Sequence, residues 1–342
     1  MKALFYTGPN QLNIKEIPVP TLNEREVLIK VAYVGICGTD MLCYHGGMDN
    51  RVQPPVILGH EFSGIIEAIG ANCISQVGEK VTVEPIVSCG ECSGCKKGEY
   101  NLCSSLNLMG IDSNGAISNL MKVSEDYVYS LGDKVSMKDG ALVEPIAVCI
   151  HLLEKVELKE NQTVLIVGGG PIGLITAQVA KKWGANVVIS EINEFRIRTA
   201  QQLGFSVINP VKQNIVDEVL NLTNGSGFEI TVEATGTNAG LVSCIEAAGV
   251  RGKVVIAGLP KKQASIDTYK IIAKELQLIG TRVYKGKDYR KAINLLASND
   301  FETDKLISRI VSLEDSIEYG FKAIDRQEEV IKIFISLEER NL

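Results

Sequence analysis

No stretch of the 342-residue sequence is apolar and long enough to cross a bilayer, and its start lacks the features of a secretory signal. Low-complexity tracts and long runs of like charge are also absent from the sequence, which argues against a disordered chain. The formal net charge of -6 argues against a nucleic-acid partner, because phosphate binding depends on clustered lysine and arginine. We therefore expect a cytoplasmic globular protein that acts on a small molecule, without a nucleic-acid or membrane partner.

Aromatic residues make up only 6% of the chain and histidine occurs three times, so a histidine in a polar motif stands out. The apolar content of 45% and the charged content of 22% are typical of a folded protein. A chain of this length exceeds what one hydrophobic core usually organises, so two domains are expected.

Nine cysteines are present, an odd number that argues against a disulfide framework and for a reducing compartment. Four of them follow the spacing Cys-x2-Cys-x2-Cys-x7-Cys, which brings four thiols within fifteen residues. Such a run can surround one tetrahedral metal ion, as in a closed structural zinc site. We expect a zinc lobe over about residues 86–106, with ligands Cys89, Cys92, Cys95 and Cys103. Another four are expected to be small buried apolar residues, namely Cys43, Cys73, Cys149 and Cys244.

The middle of the chain alternates short apolar strands with helical patterns. Six strands with intervening helices predict a doubly wound parallel sheet. The predicted strands are Thr163 to Val167, Asn186 to Ser190, Ser206 to Ile208, Phe228 to Glu233, Lys253 to Ala257 and Leu276 to Ile279. We place this α/β domain at residues 147–284.

A glycine motif directly follows the first of these strands and opens a helix. Gly168 permits a tight turn, Gly170 lets the backbone approach a pyrophosphate, and Gly173 allows close packing of helix on strand. Pro171 and Ile172 begin the helix, whose unpaired N–H groups attract phosphate. The motif therefore predicts a dinucleotide site of the Rossmann type, with an ordinary tight turn as the alternative.

An acidic residue at the end of the second strand bears on the choice of cofactor. Glu191 stands where a carboxylate accepts hydrogen bonds from the ribose hydroxyls, and a 2′-phosphate there would meet like charge. NAD is therefore favoured over NADP. Arg196 follows on the next helix and is placed either to stack on the adenine or to hold a 2′-phosphate, so NADP stays open.

The first part of the chain, residues 1–146, is rich in valine, isoleucine, glycine and proline and is predicted to be mostly β. Strand-like runs occur at Val27 to Val34 and Val77 to Val83. Residues 285–342 are expected to return to this domain, with a helix around Tyr289 to Ala297 and another opening at Leu313. The final apolar run, Val330 to Ile335, is predicted to be an edge strand of the β domain.

Three short motifs in the β-rich part carry residues suited to zinc, namely Cys37-Gly38-Thr39-Asp40, Gly59-His60-Glu61 and Val143-Glu144-Pro145. One thiolate, one imidazole and one or two carboxylates suit a catalytic zinc ion that keeps a coordination position open. Taken residue by residue, a hydrogen-bonded loop histidine and helix-capping or surface glutamates are alternatives that the spacing leaves open.

Together these motifs resemble the zinc-dependent medium-chain alcohol and polyol dehydrogenase family along essentially the whole chain. Gly98 to Cys103, Glu144-Pro145 and Glu233-Ala234-Thr235-Gly236 also occur in the family's order. The resemblance implies a GroES-like catalytic domain beside a Rossmann domain, and two zinc ions per chain. It also implies that Cys37, His60 and Glu61 hold the catalytic zinc, with Glu144 bound directly or through water.

The same resemblance implies hydride transfer from an alcohol to the nicotinamide ring, with zinc as Lewis acid and Thr39 in the proton path. Many relatives carry a relay histidine where this chain has Leu42. His45 is a possible substitute, and Glu144 with water is another route.

The glutamate at position 144 makes the chain resemble the sorbitol and threonine dehydrogenase branch of the family, since primary-alcohol enzymes commonly have cysteine at that position. We expect a secondary alcohol of a polyol, cyclitol or sugar phosphate as substrate, with threonine 3-dehydrogenation as the alternative. Arg282 and Tyr284 are candidates for substrate contact, or for a surface salt bridge. Two further alternatives are a non-catalytic zinc and nucleotide-binding protein and a zinc-independent reductase, although the latter should lack both metal motifs.

A homodimer or homotetramer is expected, paired through Lys253 to Gly258 or Leu276 to Ile279.

Overall fold

The structure is a computed structural model that describes residues 1–48, 50–260, 262–298 and 300–338. The chain forms two compact units. One contains Met1–Glu144 together with the segment that begins at Lys285, and the other is Pro145–Tyr284. Within the described ranges no helix is long and apolar enough to cross a bilayer.

The first unit is built mainly from short strands, as predicted. Its strands up to Glu144 are β1 (Lys2–Gly8), β2 (Gln11–Glu16), β3 (Glu26–Gly35), β4 (Val56–Ile57), β5 (Glu61–Ile69), β6 (Lys80–Val83), β7 (Ile86–Val87), β8 (Asn107–Leu108), β9 (Leu120–Ser124) and β10 (Val128–Ser130). Its helices are α1 (Gly38–Tyr44), α2 (Ser93–Lys96) and α3 (Met137–Gly140), with 3-10 turns at Tyr100–Leu102 and Glu125–Tyr127. Helix α4 (Val143–Lys155) begins here and continues into the second unit.

Two predicted features of this part differ in detail. Strand β6 begins at Lys80 rather than at Val77, because Val77 and Gly78 form a turn in which Gly78 has a φ of +90°. Cys73 is half-buried and its thiol donates to the carbonyl oxygen of Glu26 at 3.3 Å, so the prediction of a buried apolar residue is wrong there. The other three cysteines predicted to be buried are buried, namely Cys43, Cys149 and Cys244.

The second unit contains the predicted parallel sheet. Its elements are β11 (Thr163–Val167), α5 (Pro171–Lys182), β12 (Asn186–Ser190), α6 (Glu194–Gln202), β13 (Ser206–Ile208), α7 (Ile215–Leu222), β14 (Phe228–Glu233), α8 (Asn238–Ala247), β15 (Ala248–Ile256), α9 (Thr268–Lys274) and β16 (Gln277–Gly280). The strand order is β13-β12-β11-β14-β15-β16, and neighbouring strands are parallel. The order reverses between β11 and β14, which is where doubly wound sheets bind their ligands.

The burial of the central strand of this sheet explains why the strand could be predicted from the sequence. Val164, Leu165 and Ile166 of β11 are all fully buried. A parallel strand with both faces covered reads as a continuous apolar run, and this run ends at the glycines. The site motif therefore follows directly from the most buried strand.

The chain returns to the first unit through α10 (Gly286–Ala297), β17 (Ile307–Ser312), a π-helical segment (Ser316–Phe321), α11 (Lys322–Asp325) and β18 (Lys332–Ser336). The helix predicted from Leu313 thus begins three residues later, in π-helical form. The prediction that the last apolar run is an edge strand is wrong, since β18 lies between β3 and β17 in the order β10-β6-β5-β3-β18-β17. Ile333, Phe334 and Ile335 are fully buried, as a central position requires.

The pairing of β3 sets the position of the candidate site. Gly35, at the end of β3, pairs with Glu61 of β5 on one side and with Phe334 of β18 on the other. Strand β9 pairs with the earlier part of β3, and the smaller sheets are β2-β1-β4 and β7-β8. Residues distant in sequence therefore meet around Gly35.

Candidate metal centres and cofactor site

Cys37 is held at the start of α1, immediately after β3. Its backbone is extended, and its N–H donates to the carboxylate of Asp40 at 2.8 Å. Its carbonyl oxygen accepts the N–H of Met41 as the helix begins. The end of β3 and the first turn of α1 thus fix the backbone of Cys37, from which the thiol extends.

His60 and Glu61 approach this thiol from the start of β5. Gly59 has a φ of +95°, and a Cβ there would lie 2.6 Å from the side chain of Ile117, so the turn into His60 requires glycine. One ligand atom each from Cys37, His60 and Glu61 lies within 4.8 Å of the others. The sequence motifs are therefore brought together in a mostly buried cluster, which we call the Cys37 cluster.

The charges around the Cys37 cluster fit a bound cation. Burial raises the pKa of Cys37, with a further rise from Glu61. Burial lowers the pKa of His60, but Asp40 and Cys37 outweigh it and hold that pKa well above the usual range. Zinc binding requires a thiolate and a neutral imidazole, and a divalent ion stabilises both forms. Sulfur, nitrogen and oxygen donors that converge from three residues suit a zinc ion with one position open.

Asp40 supports this arrangement from behind. Its side chain is fully buried, and Oδ1 lies 3.5 Å from Nδ1 of His60, while Oδ2 accepts the N–H of Cys37. A carboxylate behind a ligating histidine fixes the ring orientation and its tautomer. Asp40 thus contacts two of the three cluster residues.

Two predicted site residues, Glu144 and Thr39, are not among the three residues of the Cys37 cluster. Glu144 is buried in the first turn of α4, but among the described residues its carboxylate is not part of the three-residue Cys37 cluster. Burial raises the pKa of Tyr289 well above its ordinary value, and the charge of Glu144 adds to that rise. Thr39 is half-buried on α1, two residues after Cys37. Their predicted roles as ligand and proton carrier stay predictions.

The ring of His45 is engaged outside this cluster. Nδ1 lies 3.1 Å from Oδ1 of Asn10, and Nε2 lies 3.1 Å from Oδ1 of Asp325. The side chain is 42% exposed. Both ring nitrogens thus have partners, which weakens the interpretation of His45 as a substitute relay in place of the histidine replaced by Leu42.

Lys332 was not predicted from the sequence as a site residue. It lies on β18, and its ammonium forms an ion pair with Oε2 of Glu61 in which each side chain is only 2% exposed. The backbone of Gly35 makes room for this pair, since a Cβ there would overlap both side chains. The signal in the sequence is one lysine within the apolar run that ends at Ile335.

The zinc lobe brings its four cysteines together as predicted by their spacing. The sulfur atoms lie within 4.8 Å of one another, with 3.5 Å between Cys92 and Cys95, 3.5 Å between Cys89 and Cys103, and 4.0 Å between Cys89 and Cys95. Zn–S bonds of about 2.3 Å in a tetrahedron place sulfurs roughly 3.8 Å apart, so the spacing fits zinc.

A backbone N–H group prepares the sulfur of Cys92 for metal binding, whereas burial favours the protonated thiol of Cys95. Cys92 has a pKa lowered to about 5, chiefly by the backbone N–H of Cys95. Burial raises the pKa of Cys95 to about 11. Cys103 accepts the N–H groups of Cys89 and Ser105, each at 3.3 Å. The donor at Cys92 stabilises the thiolate, which is the form that binds metal.

The lobe is tied to the returning chain by two polar contacts. Lys285 forms an ion pair with Glu99 at 2.8 Å. The hydroxyl of Tyr100 donates to Oε1 of the buried Glu84 at 2.8 Å and accepts the N–H of Gly286, the first residue of α10. The lobe therefore holds the point where the chain re-enters the first unit.

The glycine motif has the geometry expected of a dinucleotide turn. Gly168 has a φ of +109°, and a Cβ on Gly173 would overlap the carbonyl oxygen of Gly168. Gly170 precedes α5, with Pro171 and Ile172 as the first helical residues. The turn thus brings a free helix N-terminus to the carboxyl end of β11, where backbone N–H groups can receive a pyrophosphate.

Glu191 is fixed against this turn at the end of β12. Oε2 accepts the N–H of Gly169 at 2.7 Å, and Oε1 accepts those of Ile192 and Asn193 at 2.7 and 2.9 Å. A carboxylate has about four acceptor sites, so capacity remains for a ribose hydroxyl. Arg196 lies beside it, with Nη1 3.9 Å from Oε2, and its side chain is 41% exposed.

The two candidate substrate residues follow β16. Arg282 is exposed, whereas Tyr284 is fully buried. Their contact with substrate stays a prediction.

Comparison with known proteins agrees with this arrangement. Residues 23–133 match the family described as alcohol dehydrogenase GroES-like domain, and residues 171–298 match the zinc-binding dehydrogenase family. The 2-dehydro-3-deoxy-L-galactonate 5-dehydrogenase of Pseudoalteromonas atlantica is 39% identical over 92% of this chain and 93% of its own. The sorbitol dehydrogenase of Bacillus subtilis is 34% identical over 98% of this chain and 97% of its own.

A solved structure shows the same fold over nearly the whole length. A zinc-binding dehydrogenase from Sinorhizobium meliloti 1021, bound to NADP, is 29% identical with a TM-score of 0.92, over 98% of each chain. The predicted combination of a GroES-like domain and a Rossmann sheet is thereby confirmed. With both metal clusters and the glycine turn in place, the chain belongs to the zinc-dependent medium-chain dehydrogenases, which are oxidoreductases that act on alcohols.

Proposed function

We propose that the protein oxidises a secondary alcohol group of a polyol, cyclitol or sugar phosphate to a ketone, with NAD as the hydride acceptor. The observation that carries this proposal is the convergence of Cys37, His60 and Glu61 in the first unit. The names of the relatives support the substrate class, since they describe a sorbitol dehydrogenase and a dehydrogenase of a sugar acid.

The residues of the chain have separable tasks in this reaction. Cys37, His60 and Glu61 would hold the catalytic zinc, and Asp40 fixes the backbone of Cys37 and lies 3.5 Å from Nδ1 of His60. When bound, zinc supplies a Lewis acid that lowers the pKa of a substrate hydroxyl. Thr39 is the candidate to relay that proton to water, because its hydroxyl, two residues from Cys37, can accept one proton as it releases its own.

The zinc lobe would hold a second ion with Cys89, Cys92, Cys95 and Cys103. Four protein ligands close the coordination shell, which is typical of a structural site. The thiols of both clusters need a reducing compartment, in keeping with the proposed cytoplasmic location.

Glu191 supports NAD as the preferred cofactor, although one relative has NADP bound. We expect Glu191→Ala to raise KM for NAD by about 10- to 100-fold, because hydrogen bonds to a charged group contribute roughly 1.5–3 kcal/mol. KM for NADP should fall, since the repulsion is removed while Arg196 remains beside the turn. Initial rates with both cofactors measure this change.

Glu194→Ala is the matched control, because Glu194 is a nearby glutamate that pairs with Lys212 instead. It should leave both KM values within about twofold. Equal loss of NAD and NADP affinity in Glu191→Ala would contradict the discriminating role and indicate a collapsed turn.

We further propose a homodimer or homotetramer in which β16 pairs with β16 of a second copy. Lys253 to Gly258 is unsuitable for such pairing, because β15 already has neighbours on both sides. Strand β16 ends the sheet, and Leu278 on it and Tyr269 and Ile272 on α9 are exposed. Light scattering should give a multiple of 37.1 kDa that Leu278→Lys reduces, and a wild-type monomer would contradict the proposal.

The proposed function is tested by NAD reduction at 340 nm with zinc-loaded protein. The panel contains polyols, cyclitols, sugar phosphates, threonine and simple primary alcohols, each with NAD and with NADP. Turnover confined to the first three groups supports the proposal. Turnover on threonine alone would replace it with the amino-alcohol reaction, and silence on every alcohol with bound cofactor would reject the substrate class.

A further inference from the structure

A buried glutamate lies at the carboxyl end of β14, where the strand order of the parallel sheet reverses. Glu233 is the last residue of β14, and it pairs with Val167 of β11 on one side and with Ile256 of β15 on the other. It is only 2% exposed. A doubly wound sheet binds a dinucleotide across the crevice at this reversal, with one nucleotide over each half of the sheet. Glu233 therefore lies at the expected cofactor site.

The carboxylate of Glu233 organises the loop that follows β14. Oε1 accepts the N–H of Thr235 at 2.7 Å and that of Gly236 at 2.9 Å, and it also accepts the hydroxyl of Thr235. Hydrogen bonds to a charged acceptor are stronger than those to a neutral one. The carbonyl oxygen of Glu233 accepts the N–H groups of Ala257 and Gly258 at 2.9 and 3.0 Å, just after β15. Glu233 thus fixes the chain at the ends of both strands.

The space around this carboxylate is kept free by glycines. A Cβ on Gly240 would lie 2.8 Å from Oε1 of Glu233, and a Cβ on Gly258 would lie 2.6 Å from Oε2. Helix α8 has a cap of its own, because the hydroxyl of Thr237 accepts the N–H of Gly240 at 3.0 Å. A carboxylate is costly to bury, so helix capping and strand packing alone do not explain a glutamate at this position.

The loop that Glu233 fixes reaches the glycine turn. A Cβ on Gly168 would lie 2.8 Å from Cγ2 of Thr235 and 3.2 Å from the carbonyl carbon of Ala234. Glu191, at the end of β12, marks the adenosine half of the site, and β12 lies on the other side of β11 from β14. The ends of β14 and β15 therefore border the half of the crevice that is expected to take the nicotinamide nucleotide.

We propose that Glu233 is a positioning residue for the nicotinamide half of the cofactor. Its carboxylate holds Thr235 and Gly236 in place, and this loop limits where the nicotinamide ring can lie. Hydride transfer depends on a close approach of the reacting atoms, and a displacement of about 1 Å can cost roughly 100-fold in rate. This inference rests on the nicotinamide cofactor of the proposed function. Glu233 acts through the loop rather than on the reacting atoms.

The test compares the two halves of the cofactor in Glu233→Ala and in wild type. Alanine leaves the N–H groups of Thr235 and Gly236 without their acceptor, so the loop loses its fixed position. We expect kcat for NAD reduction to fall at least about 100-fold, with unchanged zinc content. Kd for NADH should rise about 10-fold, whereas Kd for ADP should stay within about threefold, because ADP lacks the nicotinamide nucleotide.

The two binding constants need neither zinc nor an alcohol substrate. Fluorescence of the reduced nicotinamide measures NADH, and displacement of NADH measures ADP. The comparison therefore holds even where the choice of substrate is wrong. A merely structural role would weaken ADP and NADH alike.

Two further variants connect the effect to the carboxylate. Glu233→Gln keeps Oε1 as an acceptor and loses only the charge, so its kcat should recover to within about fivefold of wild type. Thr235→Val keeps a methyl group against Gly168 but removes the hydroxyl that Glu233 binds, and should lower kcat about 10-fold. Added to Glu233→Ala, it should have no further effect, since coupled residues are not additive. If Glu233→Ala fails to fold, Thr235→Val is measured in the same way.

Glu229→Ala is the matched control, because Glu229 lies near the amino end of the same strand. Its carboxylate accepts the N–H of Thr163 at 2.9 Å and the hydroxyl of Thr163 at 3.3 Å, a set of bonds similar to that of Glu233. Its replacement should leave kcat and both binding constants within about twofold of wild type.

Wild-type kcat in Glu233→Ala, or equal weakening of ADP and NADH, would overturn the positioning role. Failure of the proposed function is seen separately. Wild-type protein that binds neither NADH nor NADPH would reject the cofactor, and this inference with it. Wild-type protein that binds NADH and reduces NAD, with no effect of Glu233→Ala, would reject this inference alone.

Discussion

Replacing Cys37 with alanine is expected to remove one of two zinc ions and to lower kcat/KM by at least about 10⁴-fold, since Lewis-acid stabilisation contributes several kcal/mol. Cys37 is the sulfur donor of its cluster, and its thiol lies close to ligand atoms of His60 and Glu61. With alanine at position 37, the site loses its soft sulfur ligand and keeps only the nitrogen and oxygen donors of His60 and Glu61. Metal content by mass spectrometry of the native protein and NAD reduction with the best substrate of the panel measure the two effects.

Cys43→Ala is the control for this substitution. Cys43 lies on α1, the helix that Cys37 precedes, and is fully buried, but it belongs to neither metal cluster. Its replacement should keep both zinc ions and most of the activity. If Cys37→Ala retained two zinc ions and wild-type turnover, the Cys37 cluster would not be the catalytic site.

Replacing Cys95 with serine is expected to empty the zinc lobe and to lower Tm by roughly 10 °C. Cys95 lies 3.5 Å from the sulfur of Cys92 and 4.0 Å from that of Cys89, so its loss opens the four-sulfur shell. The lobe also carries Tyr100, which contacts Glu84 and Gly286, and its loosening therefore reaches the start of α10. Differential scanning calorimetry and zinc content measure this outcome.

The control for the lobe is Cys73→Ser, a half-buried cysteine outside the lobe whose thiol donates to a backbone carbonyl. Serine can keep that donor, so Tm should change by less than about 3 °C. Retention of two zinc ions and of Tm in Cys95→Ser would show that the lobe does not depend on a metal.

The features predicted correctly from the sequence are local ones. The six parallel strands have apolar runs bounded by turns, and the glycine motif directly follows β11. The four lobe cysteines lie within fifteen residues, so their spacing alone constrains their approach. The Cys37 cluster needed the family resemblance, because Cys37 and His60 meet only through the pairing of β3 with β5.

The features missed from the sequence depend on pairing between distant strands. The apolar run of β18 suits an edge or a central strand equally well until its neighbours are known, and only its burial on both faces decides. Lys332 was overlooked for the same reason, since its partner Glu61 lies 271 positions earlier in the chain. The two partners of His45 are likewise remote in sequence.

The central position of β18 has a consequence for biosynthesis. The ribosome releases all strands of the second unit, Thr163–Val167 to Gln277–Gly280, before Lys332–Ser336 emerges. The second unit can therefore complete its sheet first, while the first unit waits with Tyr33 to Gly35 unpaired on one side. An exposed strand edge of this kind can pair with other chains and aggregate. We therefore expect chaperones to bind a nascent chain that is stalled before β18 has emerged.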